Sequence, residues 1–156
     1  MALFDELGLR ENFSHPEHES LLNIYFTASQ IRKRADRFFR EFGISDVQFN
    51  VLNLLKFQSG ESGGLNQAEL SRMLLVNRAN VTSLIDRMER DGLVRREDDP
   101  NDRRTNIIRL TKKGEKLLEK IEKPYVNEFK TVMKSLDQKD MKKLNDYMEK
   151  IRGNLE

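Results

Sequence analysis

The stretch NQAELSRMLLVNRANVTSLIDRMERDGLVRREDDPNDRRTNIIRLT (Asn66–Thr111) decides the fold. Asn66 followed by Glu69 is an Asn-x-x-Glu helix start resembling a capping box, and Ala68, Leu70, Met73 and Leu74 supply an apolar face. Asn77 can cap a second short helix that runs to about Arg90, with Val81, Leu84, Ile85 and Met88 turned inward. Asp91-Gly92-Leu93 ends that helix. Two alternating runs, Leu93–Glu97 and Asn106–Thr111, then read as the strands of a hairpin. Its tip is loaded with Asp98, Asp99, Asp102, Arg103 and Arg104.

Two short helices joined by a tight turn and followed by a charged hairpin form a winged helix-turn-helix. The second helix of such a pair fits the major groove of DNA, about 12 Å wide, and its first residues reach base edges. At 100° per residue the outward face carries Ala79, Ser83, Asp86 and Arg90. Asn80, Thr82 and Arg87 flank it, and Arg78 sits at the exposed N-terminal end. An ordinary solvated helix face is the competing reading, and the tip of the hairpin tells against it. Arginine suits narrow minor grooves, where the negative potential is focused. Phosphate repels aspartate, so an aspartate there has a use if it orients an arginine through a charge-assisted bond. Asp102, two residues before Arg104, is placed for that task. A merely solubilising role for Asp98, Asp99 and Asp102 is the alternative.

Working outward, Leu21, Ile24, Ala28, Ile31, Ala35, Phe38 and Phe42 step by threes and fours, the spacing of a long amphipathic helix that stops at Gly43. Ser45 can cap a further helix carrying Val47, Val51, Leu54, Leu55 and Phe57, and SGESGG (59–64) reads as a flexible loop. Beyond the hairpin, Leu118, Ile121, Tyr125, Phe129, Val132 and Leu136 mark a helix that Pro124 should kink or break. A last helix carries Met141, Leu144, Met148, Ile151 and Leu155. The fold class is therefore mostly α with a small β-hairpin: a winged helix-turn-helix domain (45–112) flanked by an N-terminal dimerisation helix (1–44) and C-terminal dimerisation helices (113–156). The apolar stripes at the two ends of the chain both need partners. Pairing them across a two-fold axis buries them and presents two reading helices to successive major-groove turns. Packing of the stripes within one chain is the alternative.

Composition narrows the classes. The 156 residues suit one domain with helical extensions. The formal net charge is only +2, but residues 72–113 hold eleven Lys/Arg against seven Asp/Glu, so the basic excess is concentrated in the middle of the chain. There is no cysteine, which excludes disulfides, thiolate metal sites and thiol-based peroxide sensing. No apolar run approaches the roughly 20 residues of a membrane span, and no signal-peptide pattern opens the chain. No membrane partner and a cytoplasmic location are expected. Both histidines lie on one N-terminal segment, so triads and most general-base arrangements lack parts, and no enzyme is expected. A winged helix serving only as a protein-interaction module is the stronger rival. It has no need of Arg78, Arg87, Arg103 and Arg104.

These residues resemble the MarR regulators, bacterial winged-helix repressors named for multiple antibiotic resistance. The wing signature of that family is Asp-x-Arg, three residues, an aliphatic, one residue, then Leu-Thr. It stands complete here from Asp102 and Arg104 through Ile108 to Leu110-Thr111. Glu69-Leu70, Val81-Thr82, Asp86-Arg87 and Gly92-Leu93-Val94 also match, and the flanking helices agree in number and order. The resemblance implies that Arg104 enters the minor groove, held by Asp102 beside Arg103. It implies that the helix from Asn77, with Arg78, Asn80, Thr82, Ser83 and Arg87, reads the major groove of double-stranded DNA. It further implies a homodimer, a pseudo-palindromic operator, and release by a small effector. Asparagine at 77 in place of the usual serine, and asparagine at 80, bear on which operator is read.

The family often binds phenolic or aromatic carboxylates between its dimerisation and DNA-binding regions. A small aromatic or anionic effector could thus meet Tyr25, Arg32 and Phe49. Arg32 belongs to RKRADRFFR (32–40), whose five basic residues also suit a plain solvated stripe. His15 and His18, flanked by Glu17 and Glu19, could ligate a divalent ion. Acids at a helix start also suit the helix dipole, and that reading is preferred, so no metal and no cofactor are expected.

Overall fold

The computed structural model describes residues 3–11, 13–74, 81–99 and 105–155. Seven α-helices, one short 3-10 helix (Gly60–Ser62, within the expected loop) and three strands are formed among them: α1 (Leu3–Leu7), α2 (Pro16–Arg40), α3 (Asp46–Phe57), β1 (Leu65–Asn66), α4 (Gln67–Met73), α5 (Val81–Arg90), β2 (Val94–Asp98), β3 (Asn106–Leu110), α6 (Lys112–Val132) and α7 (Gln138–Arg152). One compact unit extends to Glu115 and a second begins at Lys116, so α6 runs from one into the other.

In the first unit two of the expected caps form, at Ser45 and Asn66. The Ser45 hydroxyl accepts from the Gln48 N–H, and the Gln48 side chain accepts from the Ser45 N–H. Asn66 and Glu69 make the same reciprocal pair. The C-terminal stop of α2 also holds: the helix ends at Arg40, and Gly43 takes a positive φ of 73°.

The core is built on α3, α5 and the sheet. Val51, Leu52, Leu70, Val81, Ile85, Met88, Val94 and Ile108 are all buried. Phe39 of α2 stacks on Phe49 of α3 at a ring distance of 4.6 Å, anchoring the C-terminal end of α2 to α3. The buried face of α3 differs from the expected one. Phe49, Val51, Leu52 and Leu55 turn inward, whereas Phe57 is 60 % exposed. The sequence of α3 is apolar on more than one side, so its periodicity admits two stripes and packing chooses between them.

The sheet also has one strand more than the predicted hairpin. Leu65 and Asn66 pair antiparallel with Ile108 and Ile107, giving the order β1-β3-β2. Gly64 is what admits β1 so near to β3. A Cβ at that position would fall 2.5 Å from Ile107 Cγ2 and 2.7 Å from the Ile108 carbonyl oxygen. The lead-in is also more ordered than predicted, forming α1, whose Leu3 is buried.

In the second unit Pro124 does not break the helix: α6 is continuous from Lys112 to Val132. Proline deletes one backbone hydrogen bond and crowds one turn, a cost of about 3 kcal/mol that a 21-residue helix tolerates. Tyr125 and Phe129 meet edge to face at 5.5 Å. The Asp137 carboxylate accepts from the Asp140 N–H at 2.8 Å and starts α7, which has no buried residue.

Candidate nucleic-acid interface

The surface that the sequence assigns to DNA is built on α5. Four residues, Val81, Leu84, Ile85 and Met88, are buried and fix the roll of the helix, as its period predicts. The opposite side is thereby turned to solvent, and Thr82, Ser83, Asp86, Arg87 and Arg90 are exposed on it. Thr82, Ser83 and Arg87 thus share one outward surface. Asn77, Arg78 and Asn80, together with Asp102, Arg103 and Arg104 of the tip, lie outside the described residues.

Three contacts hold this surface in place. Gln67, the first residue of α4, donates its side-chain amide to the Thr82 hydroxyl and ties the two helices of the pair together. Arg87 folds back along its own helix, its Nε donating to the Ser83 carbonyl at 3.2 Å. The third contact was not read from the sequence. Arg96 of β2 binds Asp86 of α5 at 2.6 Å, pairs with the Glu89 carboxylate, and donates its backbone N–H to Glu89 at 2.9 Å. Burial alone would lower the pKa of this guanidinium, but its hydrogen bonds to Asp86 and Glu89, reinforced by their charges, outweigh that and raise it. Asp86 therefore does not present a bare negative charge on the outward face. Arg96 lies on a strand and its partners on a helix, so no single helix or strand period relates them and no sequence pattern signals the bridge.

The foot of the hairpin is tied just as firmly. The Thr111 hydroxyl donates to the Gly92 carbonyl at 2.6 Å and accepts from the Gly114 N–H at 3.1 Å, capping α6. The Thr111 N–H donates to the Leu93 carbonyl at 3.2 Å. Gly92 supplies the turn with a φ of 71°, and a Cβ on Gly114 would lie only 2.2 Å from the Leu93 oxygen. Leu110-Thr111 and Gly92-Leu93 are thus one joint, which fixes where the two strands leave the body of the domain.

The residues proposed for an effector are less closely grouped. Tyr25 is 66 % exposed on α2, and Phe49 is a core residue with only 2 % exposed. Arg32 is exposed on α2 and lies near Asp46 at the start of α3. The Asp46 carboxyl is raised above its usual range by burial and then by the charge of Asp36, with Arg32 opposing. His15 precedes α2 as its cap residue and its carbonyl accepts from the His18 and Glu19 N–H groups, the geometry of a helix start. Among the described residues no group of three His, Cys, Asp or Glu is placed to hold a metal ion, and no helix is long and apolar enough to cross a membrane.

The profile of the MarR family matches residues 42–105, which contain α3 to α5, β1 and β2. The chain is 36 % identical over 117 residues to the HTH-type transcriptional regulator YkoM of Bacillus subtilis, a match covering 72 % of this chain and 73 % of YkoM. It is 33 % identical over 106 residues to the transcriptional activatory protein BadR of Rhodopseudomonas palustris. That match covers 68 % of this chain but 60 % of BadR, less than two thirds of its length. Sco3205, a MarR family regulator from Streptomyces coelicolor solved in complex with DNA, superposes with a TM-score of 0.79 over 94 % of this chain and 93 % of its own, at 24 % identity, and so shares the fold. With its family profile matched and a relative 36 % identical over 72 % of the chain, the chain belongs to the MarR family of transcription regulators.

Proposed function

We propose that the protein is a sequence-specific regulator that binds a pseudo-palindromic operator as a homodimer. Residues 45–112 read DNA, and residues 1–44 and 113–156 pair the two copies. The observation that carries the proposal is the outward surface of α5, where Thr82, Ser83 and Arg87 are exposed over a completely buried inner face and braced to the hairpin through Arg96. In this reading Asn77, Arg78 and Asn80 contact base edges, Arg104 enters the minor groove, and Asp102, beside Arg103, orients it. Sco3205, which shares this fold, was solved with DNA bound.

Dimerisation is supported by what one chain leaves uncovered. Leu21, Tyr25 and Ile31 of α2 are exposed, as are Leu144 and Tyr147 of α7. A second copy is the partner that would cover them. Repression is the direction proposed, because a dimer seated on its operator blocks other proteins from the DNA it covers. Activation, the direction in BadR's name, is the second reading. Release by a small aromatic or anionic effector and a cytoplasmic location complete the proposal.

The test is selection of fragments from random duplex DNA by the purified protein, followed by transcription of a reporter bearing the selected site. The proposal expects an inverted repeat with half-site centres about one helical turn apart and transcription that falls when the protein is added. Fragments without a shared sequence would overturn specific reading, and a rise in transcription would establish activation.

A further inference from the structure

The bond between Gln67 and Thr82 joins residues of different standing. Thr82 is exposed on the outward surface of α5, whereas Gln67 is half-buried at the start of α4 and has no place in the surface assigned to DNA. The position of Gln67 is set twice over. The reciprocal cap between Asn66 and Glu69 fixes the backbone around it, and the pairing of Asn66 with Ile107 ties that backbone to the sheet. Gln67 also lines, with Arg96, Thr105 and Asn106, a hollow of about 270 Å³ between the start of α4 and the hairpin. It therefore stands where the helix pair meets the hairpin.

The direction of the bond matters. The Gln67 amide N–H donates and the Thr82 Oγ1 accepts. A hydroxyl has one proton and two lone pairs, so accepting this bond leaves the proton to be given elsewhere. A threonine in a helix otherwise tends to turn its hydroxyl back onto a carbonyl of the preceding turn. Among the described residues the Thr82 hydroxyl accepts from Gln67 and donates to none. Burial of Val81, Leu84 and Ile85 fixes the roll of α5, so Thr82 is held on the flank nearest the start of α4. In a helix-turn-helix the first helix crosses the phosphate backbone, so that flank faces phosphate and not the base edges.

We propose that Gln67 is a positioning residue for DNA binding: by donating to Thr82 Oγ1 it aims the threonine proton outward, at a phosphate oxygen of the bound duplex. This rests on the DNA-binding function proposed above. The contact sets register and not sequence, because a phosphate carries no base identity. It is also made by a neutral donor, so it releases no counterion, which separates it from the contacts of arginines.

A double-mutant cycle tests it. Affinity for the duplex that the wild type selects from random DNA is measured for Gln67→Ala, Gln67→Glu and Thr82→Val, and for each Gln67 variant combined with Thr82→Val. Thr82→Val keeps the shape and removes the hydroxyl, and it should weaken binding about tenfold or more, the scale of one hydrogen bond to a charged group. Gln67→Ala should weaken binding about threefold or more, with its denaturation midpoint close to that of the wild type because the bond is exposed. In the Thr82→Val background it should have no further effect, since Gln67 acts only through the hydroxyl. Neither Gln67→Ala nor Thr82→Val should change the salt slope. Glutamate can only accept, so Gln67→Glu draws the Thr82 proton inward. It should weaken the wild type more than it weakens Thr82→Val, a comparison in which repulsion between the new charge and DNA cancels. Equal loss from Gln67→Ala in both backgrounds would mean that Gln67 itself touches DNA, and no loss in the wild type would mean that the bond aims nothing. Either result overturns the inference and leaves the DNA-binding function standing. A changed base preference at one position in Thr82→Val would overturn phosphate as the acceptor. Failure of the wild type to select any duplex would instead overturn the function proposed above, and this inference with it. If Gln67→Ala fails to fold, Gln67→Glu decides.

Discussion

Arg96 of β2 and Asp86 of α5 are joined at 2.6 Å, so the strand that leads into the hairpin tip is pinned to the helix that carries the outward polar surface. Glu89, one turn further along α5, takes the same guanidinium and also the Arg96 backbone N–H. One side chain thus fixes the angle between the two elements proposed to reach neighbouring grooves together, and it neutralises two acids on their shared surface.

Arg96→Gln separates these roles. The pairs are partly exposed, so the loss of folding stability should stay near 1 kcal/mol. DNA affinity should fall about tenfold or more, because the two acids are released and the wing is no longer held. Adding Asp86→Asn and Glu89→Gln removes the released charge, and the triple variant should recover only part of the affinity. Full recovery, measured by fluorescence anisotropy, would reduce Arg96 to a neutralising charge.

The joint below the wing gives a stability prediction. In Gly114→Ala the added Cβ meets the Leu93 oxygen at 2.2 Å, and neither backbone can yield without disturbing the Thr111 cap. A loss of about 1–3 kcal/mol is expected in chemical denaturation, the range for overpacked sites. An unchanged midpoint would mean that the turn and the start of α6 are less closely packed than described.

Much of this site is legible in the sequence because it obeys a period. Val81, Leu84, Ile85 and Met88 recur at helical spacing, and burial of that face dictates which residues of α5 point outward. Ser45 and Asn66 are legible for a similar reason, since a cap and its partner three residues later are local chemistry. β1 is not legible: two residues form no pattern, and Leu65 and Asn66 become a strand only by pairing with β3. Phe49 and Phe57 show the same limit on α3, where three-dimensional packing selects Phe49 for the core. The Arg96 bridge depends wholly on how β2 lies against α5.

Acid titration tests the start of α3. Burial and Asp36 raise the folded-state pKa of Asp46, so the folded chain takes up this proton at a higher pH than the unfolded chain does. The contribution of Asp46 to stability is therefore least favourable at neutral pH. It improves as pH falls through the raised folded value and levels off below the ordinary aspartate value. Relative to Asp46→Asn, the wild type should gain stability across that acid window. A parallel pH dependence of the two melting temperatures would contradict the assignment.

The exposed stripes give an assembly prediction. Sedimentation at micromolar concentration should show a dimer, and Ile31→Glu combined with Leu144→Glu should yield folded monomers, since both side chains are exposed in the single chain. Those monomers should bind a full operator at least tenfold more weakly, because the two half-sites are no longer engaged together. A wild-type monomer that still binds DNA tightly would remove the two-fold arrangement.

In the proposed reading the hairpin is a DNA-reading wing whose tip arginine is aimed by an aspartate. The direct measurement is the affinity of Asp102→Ala and Arg104→Ala for the selected operator at matched salt, because the phosphate contribution varies with ionic strength. Arg104→Ala should bind more weakly while remaining a folded dimer, since hairpin turns as a class contribute little to core packing. Asp102→Ala should also bind more weakly, although it removes a negative charge beside DNA. Tighter binding by Asp102→Ala would show that the aspartate only repels phosphate and would contradict the claim.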